Sequence, residues 1–163
     1  GLAGGHRYGT CMRSKTDSTY PLLAVVRQRT LERDEEARRV ARMESRVRQK
    51  EGQLGQAHED VRRREEQIEE FSEKRARVLA SDVRGFQVRM MLDREASLKK
   101  GLDRALKRCD DARRQLEGSR KKLKEARKEL AGALGRLKAV QRHRDEWEQE
   151  QRRGAEKHRE EDP

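Results

Sequence analysis

Apolar side chains return every seven residues in two separate series. The first runs from Val26 through Val40, Val47, Leu54, Val61 and Ile68, with support three positions later from Met43, Ala57 and Phe71. Other positions beside it are polar, among them Glu44, Glu51 and Glu65, so this stretch is half-apolar. The second series is fuller. One row reads Val88, Glu95, Leu102, Cys109, Leu116, Leu123, Leu130, Leu137; the other reads Met91, Leu98, Ala105, Ala112, Ser119, Ala126, Ala133, Val140, Trp147. A paired apolar row sustained for about eight heptads predicts a helix with a coiled-coil seam.

The two series are out of phase by one residue, and "LASDVRGF" (79–86) lies between them. A straight helix has no reason to change phase there. Ser81–Asp82 offers a fresh N-cap, with Gly85 close by. The pattern predicts an all-α fold: a long two-helix antiparallel coiled-coil hairpin, with a disordered N-terminal leader and a frayed C-terminal tail. Arm 1 spans about 20–80, the turn about 80–86 and arm 2 about 83–158, with 18–158 one helical hairpin and 159–163 a tail. The predicted seam is Val40, Val47, Leu54, Val61 and Ile68 against Leu102, Cys109, Leu116, Leu123, Leu130 and Leu137. Folding back near 81/82 sets Val61 against Leu102, Leu54 against Cys109, Val47 against Leu116 and Val40 against Leu123. Arms of this length make a rod about 75–90 Å long.

Residues 1–17 are glycine-rich and aperiodic and are read as the leader; Met12 is a candidate start, residues 1–11 then being an expression remnant or a natural extension. Ser18 or Thr19 can cap arm 1, with Pro21 in its first turn. The glycines Gly52, Gly55, Gly118, Gly132 and Gly135 fall off the seam. After about residue 145 arm 2 overshoots arm 1, so "EQEQRRGAEKHREEDP" is expected as a single frayed helix.

Composition changes the picture by exclusion. Charged residues are 45% of the chain and hydrophobic ones 31%, with two Phe, two Tyr and one Trp, too little to wrap a globular core. No run reaches the ~20 apolar residues that cross a bilayer. Cys109 falls on the seam and reads as a buried reduced thiol; Cys11 lies in the leader, and a reducing cytoplasm suits both.

The net charge of +11 is concentrated: residues 99–144 hold 17 Lys or Arg against six Asp or Glu. "RKKLKEARK" (120–128) lies on the outer face of arm 2. It reads either as a solvated helix surface, partly offset by Glu59, Asp60, Glu65, Glu66, Glu69 and Glu70, or as a face for an acidic partner. The candidate partner-binding residues are Arg120, Lys121, Lys122, Lys124, Arg127, Lys128, Arg136 and Trp147. Trp147 ends the seam, as a packing plug or as an anchor for a partner. Catalytic, metal and cofactor residues are not expected. His6, His58, His143 and His158 are scattered without ligand spacing, no phosphate loop follows a strand, and a two-helix rod has no pocket to desolvate a carboxylate. Specific nucleic-acid recognition lacks a stacking set, zinc spacing or a basic-zipper signature.

The opening "YPLLAVVRQRTLERDEEARRVARMESRVRQKEGQL", the break "SDVRGFQVRMMLDREASLKKGLDRA" and the basic second helix together resemble the FliJ/YscO-type (SctO) stalk proteins of bacterial type III secretion and flagellar export, over Tyr20 to Trp147. The resemblance implies a non-enzymatic, cytoplasmic stalk, at the cytosolic face of the inner membrane when assembled. Such a stalk docks in the central hole of the export ATPase hexamer and reaches the cytosolic ring of the export gate. Export chaperones are further implied partners, and contact with the membrane runs through partners only. The paired ends around Leu22–Arg39 and Arg136–Glu150 would enter the ring. The basic face around Arg120–Lys128 and the turn near Ser81–Phe86 would meet ATPase or gate.

Two rival readings remain. A structural or tethering coil associating in parallel predicts a dimer or trimer and a rod twice as long. A basic nucleic-acid-associated protein predicts binding that falls steeply with salt.

Overall fold

The computed structural model describes residues 20–81 and 84–161. Two helices account for nearly all of them: α1, Leu23–Leu79 (57 residues), and α2, Gly85–Glu161 (77 residues). They pack along each other as an antiparallel hairpin, and α1 alone is about 85 Å long. Residues 1–17, with Ser18 and Thr19, lie outside the described residues, as do Asp82 and Val83.

The core is the seam and nothing else. Val40, Val47, Ala105, Cys109, Leu116, Ala126, Ala133 and Leu137 are buried, as is Tyr20 at the open end. The remaining members of both rows, from Val88 to Trp147 on α2 and from Val26 to Phe71 on α1, are half-buried. Ala105, Ala126 and Ala133 are each 1% exposed. A methyl group there lets the partner backbone approach closely, which is why small residues alternate with leucine on α2.

Of the expected polar positions beside the α1 seam, Glu44 is half-buried, but the others are not. The second row of α1 continues Met43, Ala57 and Phe71 through Lys50 and Arg64, both half-buried, while Glu51 and Glu65 are exposed beside it. Arg33 and Arg75 likewise continue the valine row and are half-buried. Long aliphatic stems let a basic residue hold a seam position with its charge near the rim, and the acid in the α2 row, Glu95, is held there by Arg75 and Lys99.

Contacts across the seam are also displaced from the expected mirror pairing. Ala57 and Asp60 share a groove with Arg108 and Ala112. Lys50 Nζ donates to Gln115 Oε1 over 2.8 Å, and an Arg64 guanidinium nitrogen lies 3.0 Å from where a Cβ on Gly101 would sit. The cause is the slant of the side chains. Cα–Cβ bonds tilt toward a helix's own N-terminus, away from the turn on α1 and toward it on α2. Side chains that touch therefore sit at higher numbers on both helices than a level backbone pairing gives.

The turn uses different caps from those expected. Ser81 closes α1 instead of opening α2: its hydroxyl donates to the Val78 carbonyl at 2.6 Å, and its N–H donates to the same oxygen at 3.0 Å. α2 opens at Gly85 with Gln87 reaching back, its Oε1 accepting the Arg84 N–H at 3.1 Å. That is the reciprocal half of a capping box, glutamine at the third helical position serving the residue that precedes the helix. At the other end Pro21 and Leu22 form a turn before α1, and the Leu23 N–H donates to the Tyr20 carbonyl at 3.1 Å. Pro21 thus precedes the helix, where its missing N–H leaves no ladder bond unmade. α2 continues to Glu161, beyond the expected end of arm 2, and every residue from Glu148 to Arg159 is exposed.

Candidate partner-binding surface

Arginines of α2 meet carboxylates of α1 along the edge of the seam. Arg127 Nη2 and Glu44 Oε1 are 2.8 Å apart, as are Arg120 Nη2 and Glu51 Oε1. Both residues of each helix are seven apart, so one heptad step carries the first pair onto the second. Arg108 reaches Asp60 at 2.5 Å, and Arg136 lies 3.9 Å from Glu32. Near the turn the polarity reverses, with Arg75 of α1 bonded to Glu95 of α2. These pairs select the antiparallel partner: a parallel neighbour would bring unrelated residues to the same rim.

Three of the carboxylates carry the imprint of their partners. The hydrogen bond from Arg108 holds Asp60 below its ordinary pKa of 3.8, against a smaller opposing desolvation. Lys99, then Arg75, hold Glu95 below 4.5, and Arg29 does the same for Glu32. A depressed carboxylate stabilises the fold above its unfolded-state pKa, and that contribution disappears as pH falls through the folded-state value. The expected result is a melting temperature that is flat from neutrality to about pH 5 and falls below about pH 4. The fall should be blunted by high salt, because the pairs are solvent-exposed. Circular dichroism melts across that range check it; a melting point indifferent to acid would contradict these pairings.

The pairs divide the candidate basic face. Arg120 and Arg127 are engaged across the seam, and Arg136 lies near Glu32. Lys121 pairs with Glu117 of its own helix at 3.2 Å. Lys122 lines a shallow groove with Met43, Arg46, Gln49, Lys50 and Ser119. Lys124 and Lys128 are exposed and make no ion pair among the described residues. The four lysines are thus the part of the face not engaged across the seam, while Arg120, Arg127 and Arg136 stay exposed with α1 carboxylates beside them. Sequence reasoning missed that Arg120 and Arg127, while staying exposed, reach across the rim to α1 carboxylates, although their spacing matches that of Glu51 and Glu44.

Trp147 is half-buried at the open end of the hairpin. Tyr20, 7% exposed, packs against it edge-on, with ring centroids 5.6 Å apart and planes at 61°. The Tyr20 hydroxyl and His143 Nδ1 share a hydrogen bond of 2.7 Å. Edge-to-face contact between rings at this distance is favourable beyond its buried area. The trio fastens the start of α1 to α2 beyond Val26 and Val140, and a shallow groove runs past it between Leu23, Arg144 and Gln151.

Among the described residues no three His, Cys, Asp or Glu side chains are grouped to hold a metal ion, and no helix is long and apolar enough to cross a membrane. No family model matches the chain, and neither curated proteins nor solved structures give a match.

Proposed function

We propose that the chain is a non-enzymatic coiled-coil stalk of a bacterial type III secretion or flagellar export apparatus. In this reading it docks in the central hole of the export ATPase hexamer and links it to the cytosolic ring of the export gate, on the cytoplasmic side of the inner membrane. The observation that supports it is the antiparallel hairpin itself, joined to the FliJ/YscO-like layout of Tyr20–Trp147. A narrow rod whose two ends lie side by side, fastened by Tyr20, His143 and Trp147, suits insertion into a ring. Its exposed lysines suit an acidic lining. Export chaperones are further candidate partners of the same surface.

Purified cognate export ATPase and the full chain provide the test, in a pull-down at moderate salt. Reversing Lys121, Lys122, Lys124 and Lys128 to Glu leaves every cross-helix pair intact and is expected to weaken capture by at least about tenfold. Arg127→Glu is a separate control, since it faces Glu44 and acts on the hairpin itself. Undiminished capture by the four-lysine variant would remove the basic face from the account. No capture by the wild-type chain would remove the stalk reading.

A further inference from the structure

Large apolar side chains left exposed elsewhere on the rod are single and spread along it: Leu22, Leu31, Leu106 and Leu134. The turn end is different. Val78, Leu79, Phe86, Met90 and Leu92 are all exposed there, Phe86 at 69% and Met90 at 58%. Phe86 and Met90 are one helical turn apart. They lie on the face of α2 opposite Val88, Met91, Glu95 and Leu98, the residues that turn toward α1. Arg89 sits between them, and the same outward face continues through Lys100, Arg104 and Lys107, all exposed, with Asp93 its single acid. The stripe is about 30 Å long.

The opposite side of the rod carries the other sign. Between residues 59 and 73, α1 holds seven Asp or Glu against three Lys or Arg. Beyond Glu73 the last turns of α1 are basic, with Lys74, Arg75 and Arg77, so the acidic stretch lies behind the tip and the tip itself carries cations on both helices.

From this placement we propose that the outer face of α2 from Phe86 to Lys107 docks directly on an anionic lipid bilayer. Phe86 and Met90 enter the headgroup boundary while the cations lie over the phosphates. The proposal does not rest on the stalk reading, and it goes beyond contact with a membrane through partners. A bilayer suits the surface better than a protein pocket does. Phe86 and Met90 are strongly exposed on the outer side of a single helix, and the stripe lacks the alternating acids that a specific protein partner would match. An aromatic and a thioether at the tip with a cationic stripe behind them is the arrangement of a peripheral interfacial helix.

The test is flotation of the full chain with vesicles of phosphatidylglycerol and phosphatidylcholine, beside vesicles of phosphatidylcholine alone. Binding is expected only to the anionic vesicles and should decline steeply with salt. Phe86→Ser with Met90→Ser should reduce it at least about tenfold, with helicity and melting temperature unchanged because both side chains lie off the seam. Reversing Lys100, Arg104 and Lys107 to Glu should reduce it by about fivefold or more per charge. Reversing Lys121, Lys122, Lys124 and Lys128, further from the tip, should reduce it less than about threefold. Equal binding to neutral vesicles, full binding by the Phe86/Met90 variant, or an equal loss from the distal lysines would overturn the proposal. So would an absence of lipid binding combined with loss of export-ATPase capture in the Phe86/Met90 variant, which would give the face to a protein.

Discussion

Replacing Leu116 by Ala is expected to lower the stability of the hairpin by about 3 kcal/mol, whereas Leu106→Ala should change it by less than about 0.5 kcal/mol. The residues are the same type on the same helix, ten positions apart. Leu116 is 5% exposed and Leu106 43% exposed. Truncation at 116 removes contacts on a seam one layer deep, where no second layer can settle into the space. Lys50, the seam member that reaches the neighbouring Gln115, would lose part of the apolar surface on which its stem lies. Truncation at 106 removes methyl groups that already face water. Thermal melts followed by far-ultraviolet circular dichroism distinguish the two. Similar losses at both positions would mean that the leucine row does not face α1, and the hairpin would be wrong.

A change of comparable size is expected in the opposite direction. Adding a Cβ at Gly52, Gly55, Gly118 or Gly135 meets nothing within 4 Å, and no described glycine has positive φ. Each glycine sits inside a helix, where it destabilises by roughly 0.5–1 kcal/mol relative to alanine. Gly→Ala at all four positions should therefore raise stability by about 2–4 kcal/mol, the increments adding because the sites share no partner. The rise is read as a higher melting temperature at unchanged helical content. A variant no more stable than the parent would show that these turns of helix are not continuous.

Most of the fold was legible from seven-residue spacing. The buried set, Val40, Val47, Cys109, Leu116 and Leu137, belongs to rows visible in the chain, and the phase step at 79–86 marked the reversal. What escaped has physical causes. Lys50, Arg64 and Arg75 hold seam positions because their stems are apolar, which a polar-versus-apolar reading of letters conceals. The mirror pairing treated side chains as perpendicular to the axis, and their slant moved the arginine–carboxylate contacts along the seam, although Tyr20 and His143 meet at the mirror position. Ser81 carries a hydroxyl able to serve either helix; only the backbone decides that it bonds back to Val78. On the candidate surface, concentrated charge was plain, but the reach of Arg120 and Arg127 across the rim to α1 was not. The heptad match of Arg120 and Arg127 to Glu51 and Glu44 was the available clue.

Because each row on one helix is matched to a row on the other across a fixed reversal, the molecule behaves as a ruler graduated in heptads. Removing seven residues from α1 alone would keep the rows in phase but shift each later residue one heptad from its partner, with Tyr20 stranded from Trp147. Removing seven from both helices would restore the partners and shorten the rod by about 10 Å, the aromatic fastening and the turn unaltered. Reach can thus be retuned in whole graduations without redesigning either extremity.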